Sequence, residues 1–289
     1  MSPTTQARPG RAGRYTMRRL LPIHRVDEHT HMPQSSTEDR SVASEHRLSQ
    51  RFAEMVESGW SVPGFVVRRP RVAAEVVRDI HALPLLIASL PAGPESEAVR
   101  SQMMQHRTSR RAMLGISAVL EVPSEPGRFL EGHERATVRR KIRAATKQGV
   151  TVRTVPADER RALLALADHH EQINEREQYR NTRPQNDDLL DYGVWIAAYD
   201  AEGEPIALAV TPIAGEWATL RYFRTLRPGQ AASDARYFMT QVVADELGAR
   251  GVRHLVDTAR PHWLPNGLRH FQRMVGFRLV RVGPARVAG

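Results

Sequence analysis

The chain has 289 residues, 41% of them hydrophobic, which suffices for one large or two small domains and excludes a fibrous or wholly disordered protein. Its 42 basic against 32 acidic side chains leave a formal charge of +10, a balance suited to a polyanionic partner such as nucleic acid, a phosphorylated cofactor or an anionic surface. Cysteine is absent, so thiol nucleophiles, thiolate metal sites and disulfides are excluded, and a reducing, cytoplasmic setting is expected.

Residues 1–44 are rich in Arg, Ser, Thr, Pro and His without apolar periodicity and are expected to form a disordered basic arm. Its histidines His24, His29 and His31 lack acidic or thiol support, so no metal site is expected there. The apolar stretch at 20–23 is too short for a signal-peptide core. The longest apolar run, 83–91, is about half of what a bilayer requires, so no stable membrane insertion is expected. Residues 45–114 read as a helical packing region: Leu48, Phe52, Met55 and Val56 recur at helical spacing before Gly59, and 72–90 offers a second helical run after Pro70.

From residue 115 onward the pattern changes. An apolar, β-prone segment at 115–122 is broken by Pro123 and Gly127, a helix is expected over 129–148 with its stop at Gly149, and 150–155 alternates like a strand. A helix opens near Asp158, with Leu163, Leu166, His170 and Ile173 on one face. Three closely spaced strands (194–199, 205–213, 217–226) form a meander whose connections at 200–203 and 214–216 suit hairpins. A helix then runs to Gly251, followed by a strand at 254–258, a helix at 266–275 ending at Gly276, and a last strand at 277–282. The fold class expected for 115–289 is therefore α+β, with a mixed, mostly antiparallel central sheet flanked by helices.

Of the 42 basic residues 40 are arginine, and the only two lysines, Lys141 and Lys147, lie in the expected helix around residue 140. There Arg139, Arg143 and Lys147 form a stripe at four-residue spacing that Arg140 and Lys141 widen, while Val138, Ile142 and Ala145 supply a buried face. Like charges so placed repel by a few tenths of a kcal/mol per pair, so the stripe is read either as an anion-binding surface or as a solvated charged face.

The string Arg139-Arg140-Lys141-Ile142-Arg143-Ala144-Ala145-Thr146-Lys147-Gln148-Gly149-Val150 resembles the basic helix of Fem-type peptidyltransferases and of the lysyl-phosphatidylglycerol synthase catalytic domain. The layout of residues 115–289 is similar to the GNAT acyltransferase fold that these families share. The resemblance implies transfer of an aminoacyl group from aminoacyl-tRNA to an amine, forming an amide, with no bound cofactor. An acyl-CoA-dependent N-acyltransferase and a non-catalytic RNA- or polyanion-binding module are the alternatives. Oligomeric state and the identity of the acceptor, a small molecule or a peptide, are not legible.

Against the GNAT pyrophosphate loop this chain offers Gln230-Ala231-Ala232-Ser233-Asp234-Ala235, in which Asp234 places a negative charge where pyrophosphate would sit, favouring a donor other than acyl-CoA. Gln230 and Ser233 are candidate phosphate donors or simply a turn and cap. Fem relatives place a lysine after a phenylalanine in the last helix, whereas here Phe271 is followed by Gln272 and Arg273, leaving Arg269 and Arg273 to supply charge. Asp257, at a strand end, is either the candidate for binding or deprotonating the amine or a strand-end cap or salt-bridge partner. Tyr222 is either a proton donor to the leaving ribose oxygen or a structural tyrosine. Arg221, on one face of the third strand with Phe223, is expected in the donor and acceptor pocket; Phe271 either joins it or packs in the core, and His262 and Trp263 either line it or plug the edge of the sheet.

Overall fold

In a computed structural model, which describes residues 35–59, 62–104, 115–259, 261 and 264–284, the chain enters its first helix, α1 (Ser35–Glu57), ten residues earlier than the apolar pattern suggests. Residues 1–34, which make up the rest of the expected arm, lie outside the described residues. A polar contact anchors the middle of α1. Buried Ser44 donates to Asp79, whose carboxylate also accepts Arg47 at 2.6 Å. Asp79 belongs to α3 (Pro70–Ala82), which follows α2 (Val62–Arg68). Leu48, Phe52 and Met55 of α1 close a small core with Phe65, Ile80 and Leu83.

The expected helical run over 72–90 is corrected in its second half. Leu83 is extended ahead of Pro84, as the residue before a proline tends to be, and ends α3. The next four residues form β1 (Leu85–Ala88), which pairs in parallel with the last strand. Then come α4 (Pro94–Met104) and β2 (Ile116–Glu121).

The helix expected over 129–148 is likewise shorter. Gly132, at φ 88°, separates a first 3-10 turn, Arg128–Leu130, from a second, His133–Arg135, which leads directly into α5 (Ala136–Lys147). The chain continues through β3 (Thr151–Thr154), α6 (Ala157–Gln172), a 3-10 turn at Asp187–Asp191, β4 (Val194–Tyr199) and β5 (Pro205–Thr211). It ends with β6 (Ile213–Ala214), β7 (Trp217–Leu220), β8 (Tyr222–Thr225), α7 (Gln230–Ala249), β9 (His254–Asp257), α8 (Asn266–Val275) and β10 (Arg278–Pro284). On α6 the buried face is Leu163, Leu164, Ala167 and Glu171; Ile173 is exposed, so the face read from the sequence is rotated.

The meander divides between two sheets. One sheet has the order β1-β10-β2-β9-β7-β6, the other β3-β4-β5-β8, and only the β1/β10 and β7/β9 pairs are parallel. The long second and third strands expected from the sequence are each cut, at Pro212 and at Arg221, so that β5 and β8 stay in one sheet while β6 and β7 cross to the other. Helices cover both faces, which explains why β4 is apolar throughout. Val194, Ile196 and Ala198 join the main core with α5 and α7, whereas Trp195 and Ala197 pack with Leu163, Leu164 and Ala167 of α6. The architecture is α+β with a curled, mixed, mostly antiparallel sheet, consistent with the GNAT-like class expected.

Candidate functional site

The cut at Arg221 creates the principal cleft. Strand β7 lies beside β9 from Trp217↔His254 to Leu220↔Asp257, and past that point β8 turns away to pair with β5. Two neighbouring strands thereby diverge, and Thr258 Oγ1 donating to the Leu220 carbonyl at 3.0 Å ties the base of the V. Cavities of about 720 and 630 Å³ open there and share Glu171, Tyr222, Phe223, Arg224 and Arg236 in their walls.

One wall is a free strand edge. Leu226 N–H donates to the Ile206 carbonyl, so by the two-residue period of an antiparallel ladder Arg224 and Tyr222 also bond towards β5. The backbone N–H groups of Phe223 and Thr225 consequently point away from β5, along the edge that borders the cavities.

Asp257 stands on the opposite wall at the end of β9. Its Oδ1 accepts Ala259 N–H at 2.8 Å and its Oδ2 accepts Gln272 Nε2 at 2.6 Å from α8. Burial holds its carboxyl above the usual aspartate pKa, with these two hydrogen bonds and Arg236 opposing the rise. A carboxylate so placed takes up a proton more readily than an exposed one. Phe271, also on α8, packs edge-on against Tyr237 and stacks with Phe223 at 5.9 Å.

Tyr222 is packed as the structural alternative describes. Its hydroxyl has no accessible surface and forms no hydrogen bond of good geometry although it faces Glu171. Burial foremost, and that carboxylate second, push its pKa up. Its ring sits in the apolar cluster under β8 with Leu163, Leu164 and Leu208. Arg221, expected on one strand face with Phe223, lies in the break between β7 and β8. There it grips Asp188 through Nε and Nη2 at 3.0 and 2.8 Å. His262 and Trp263 lie outside the described residues.

The α7 N-terminus is rearranged in charge as well. Asp234 is buried and accepts Lys141 Nζ at 2.8 Å and Gln230 Nε2 at 2.9 Å, so its charge is neutralised from within and does not confront an anion at the loop. The argument against acyl-CoA from that aspartate therefore falls away. Gln230 is committed to Asp234, while Ser233 is exposed and lines the second cavity.

The five-cation stripe on α5 is also reduced. Lys141 turns inward to Asp234, and Arg139 donates to the carbonyls of Leu130 and Gly132, capping the preceding turns. Arg140, Arg143 and Lys147 remain exposed on α5, which contributes no residue to the cleft walls. Arg269 and Arg273 share the face of α8 turned to α1, where Arg269 lies 3.5 Å from the Ser49 carbonyl with its Nε and Nη2 buried and unpartnered. They line a separate cavity of about 260 Å³ and not the cleft, because their four-residue spacing sets them apart from Phe271.

Three features escape the sequence reading. Gln272, read there only as a missing lysine, positions Asp257. Glu171 is buried and held by Arg224 at 3.1 Å and by Asn181 at 3.2 Å. Arg236 stacks its guanidinium over Phe271 at 4.1 Å and over Phe223 at 5.5 Å. The only hint in the sequence is a cation four residues after Ala232 and four before Thr240, both of them on the buried face of α7.

No family model matches the sequence, and no curated protein matches it. Among solved structures, the chain is similar to the C-terminal domain of an assigned lysylphosphatidylglycerol synthetase from Agrobacterium fabrum, with 16% identity over 57% of this chain and 58% of that one and a TM-score of 0.42. L-PGS from Bacillus licheniformis gives 16%, 57% and 58% with a TM-score of 0.41. A conserved protein of unknown function from Bacteroides thetaiotaomicron gives 12% identity, 57% of each chain and 0.44. The alignments thus span under two thirds of the neighbours' own lengths. Among the described residues no helix is long and apolar enough to cross a membrane.

Proposed function

We propose that the chain is an amide-forming acyltransferase working in the cleft between β8 and β9, with an aminoacyl ester of tRNA as donor and an amine as acceptor. The observation that carries this reading is Asp257, a carboxyl with a raised pKa across a V-shaped opening from a strand edge with free amides. The acceptor amine surrenders a proton to Asp257, and its nitrogen forms a bond to the ester carbonyl carbon. The Phe223 and Thr225 N–H groups are the donors available to the oxyanion that forms. Collapse re-forms the carbonyl and breaks the bond to the ribose oxygen. That oxygen leaves with the electron pair and takes up a proton, so no covalent enzyme intermediate is required. The exposed Arg140, Arg143 and Lys147 provide a cationic surface for the tRNA backbone.

A second reading, transfer from acyl-CoA, is favoured by one observation: the α7 N-terminus, with Gly229, Ala232 and Ser233, borders the second cavity and is not blocked by the charge of Asp234. Donor dependence separates the two. Amide product from charged tRNA that disappears with ribonuclease supports the first reading, and full turnover with acetyl-CoA in the absence of RNA supports the second. Salt-sensitive RNA binding without turnover from any donor replaces both with a non-catalytic module.

A further inference from the structure

The cleft contains a cation that the chain leaves uncompensated. Arg221 and Arg224 are paired with Asp188 and Glu171, but Arg236 forms neither an ion pair nor a side-chain hydrogen bond with any described residue. Arg236 is half-buried, its guanidinium lying over the Phe271 and Phe223 rings and bordering both cavities. Stacking uses the faces of a guanidinium and leaves its five in-plane N–H donors available. A cation withdrawn from water with unused donors is costly unless an anion meets it. Burial lowers the Arg236 pKa, and the opposing influences, Tyr237, Asp257 and Tyr179, do not replace a partner.

Asp257 lines the same 720 Å³ cavity and does not ion-pair with Arg236; Glu171, Arg221 and Arg224 there are paired and Arg180 and Arg183 are exposed, so Asp257 and Arg236 are its two half-buried charges without an ion pair. We infer that Arg236 anchors an oxyanion of the acceptor, which is therefore a zwitterionic amine: its amino group lies at Asp257 and its carboxylate or phosphate on Arg236. The inference rests on the acyl-transfer reading for the role of Asp257, but it concerns binding and is measurable without turnover.

The test is calorimetric titration of the full chain with the twenty amino acids and their matched amides, and with 2-aminoethyl phosphate against ethanolamine. Binding of at least one charged member over its neutral counterpart is expected. The carboxylate and phosphate arms identify which oxyanion is preferred. Arg236→Met should weaken that binding at least about thirtyfold, as loss of one partner of a buried charge pair does, and Arg236→Lys should recover only part because it lacks the planar fork. Near-ultraviolet circular dichroism confirms that both variants fold. Equal affinity for charged and neutral members, no binding by any of them, or indifference to Arg236→Met in a folded variant overturns the inference. Transfer that ignores Arg236 would do so while leaving the acyltransferase reading intact. Arg236-dependent binding with no transfer from any donor would do the reverse.

Discussion

Lys141→Met removes the cation that compensates Asp234, a carboxylate whose side chain is only 3% exposed and which lies 2.8 Å from Nζ. At an effective dielectric constant of about 20, two unit charges at that distance attract by about 6 kcal/mol before desolvation and side-chain ordering are deducted. Breaking a buried pair typically costs about 3–5 kcal/mol, and the lower end applies here because the Lys141 side chain is 28% exposed and Asp234 keeps its bond from Gln230. The expected loss is therefore about 3 kcal/mol in urea unfolding, read as a lower midpoint at constant slope. Lys141→Met with Asp234→Leu leaves no buried charge and should recover most of that loss, giving a coupling energy of about 2 kcal/mol in the double-mutant cycle. Arg143→Ala, on the exposed stripe of the same helix, should stay within about 0.5 kcal/mol of the parent. Single effects under about 1 kcal/mol that simply add would refute the pairing and restore Lys141 to the outer anion-binding surface.

Gln272→Ala removes a hydrogen bond that favours the charged form of Asp257, so the pKa of Asp257 should rise further and the acidic limb of kcat/KM should move to higher pH. A limb that does not move contradicts the positioning role. Gly248→Ala should destabilise the protein by about 2 kcal/mol, since an added Cβ would lie 2.2 Å from the Pro123 carbonyl oxygen with backbone on both sides; a urea midpoint close to that of the parent would show that the contact yields. The Asp79 pKa is depressed, chiefly by its hydrogen bonds from Arg47. Its contribution is thus fully present above the unfolded-state carboxylate pKa and is lost as pH falls through the folded value. Asp79→Asn should destabilise at neutral pH, with the gap to the parent closing in acid, and an equal gap at both pH values would rule this out.

Legibility in the sequence follows physical simplicity. Strand β4 and helix α8 are predicted at their observed bounds, because continuous apolar character and a terminal glycine are local signals. The start of α1 is missed since residues 35–43 carry no apolar stripe; the polar Ser44–Asp79–Arg47 cluster follows nine residues into the helix. The division of the meander is hidden because Pro212 and Arg221 interrupt ladders whose partners are remote in sequence. At the site, Asp257 is legible as a charged residue ending an apolar strand. The fates of Tyr222, Lys141 and Arg139 are not, since the first depends on which face α6 covers and the others on Asp234 and on the turns before α5. A polar chain shows the same limit. Thr219 donates to Gln102, which donates to Tyr192 at 3.3 Å, and Tyr192 in turn donates to Asp188 at 3.0 Å, beside Arg221. Burial, then Asp188, pushes the Tyr192 pKa up to about 12, and no spacing in the sequence foretells this association of three segments.

The central claim is that amide formation occurs at Asp257. Its most direct test is single-turnover transfer from charged tRNA to an amine, comparing the parent chain with Asp257→Asn. The account predicts a ribonuclease-sensitive amide product and a rate at least about 100-fold lower in the variant, the scale of general acid–base catalysis. Equal rates in the two proteins, or no amide from the parent with any donor, would contradict it.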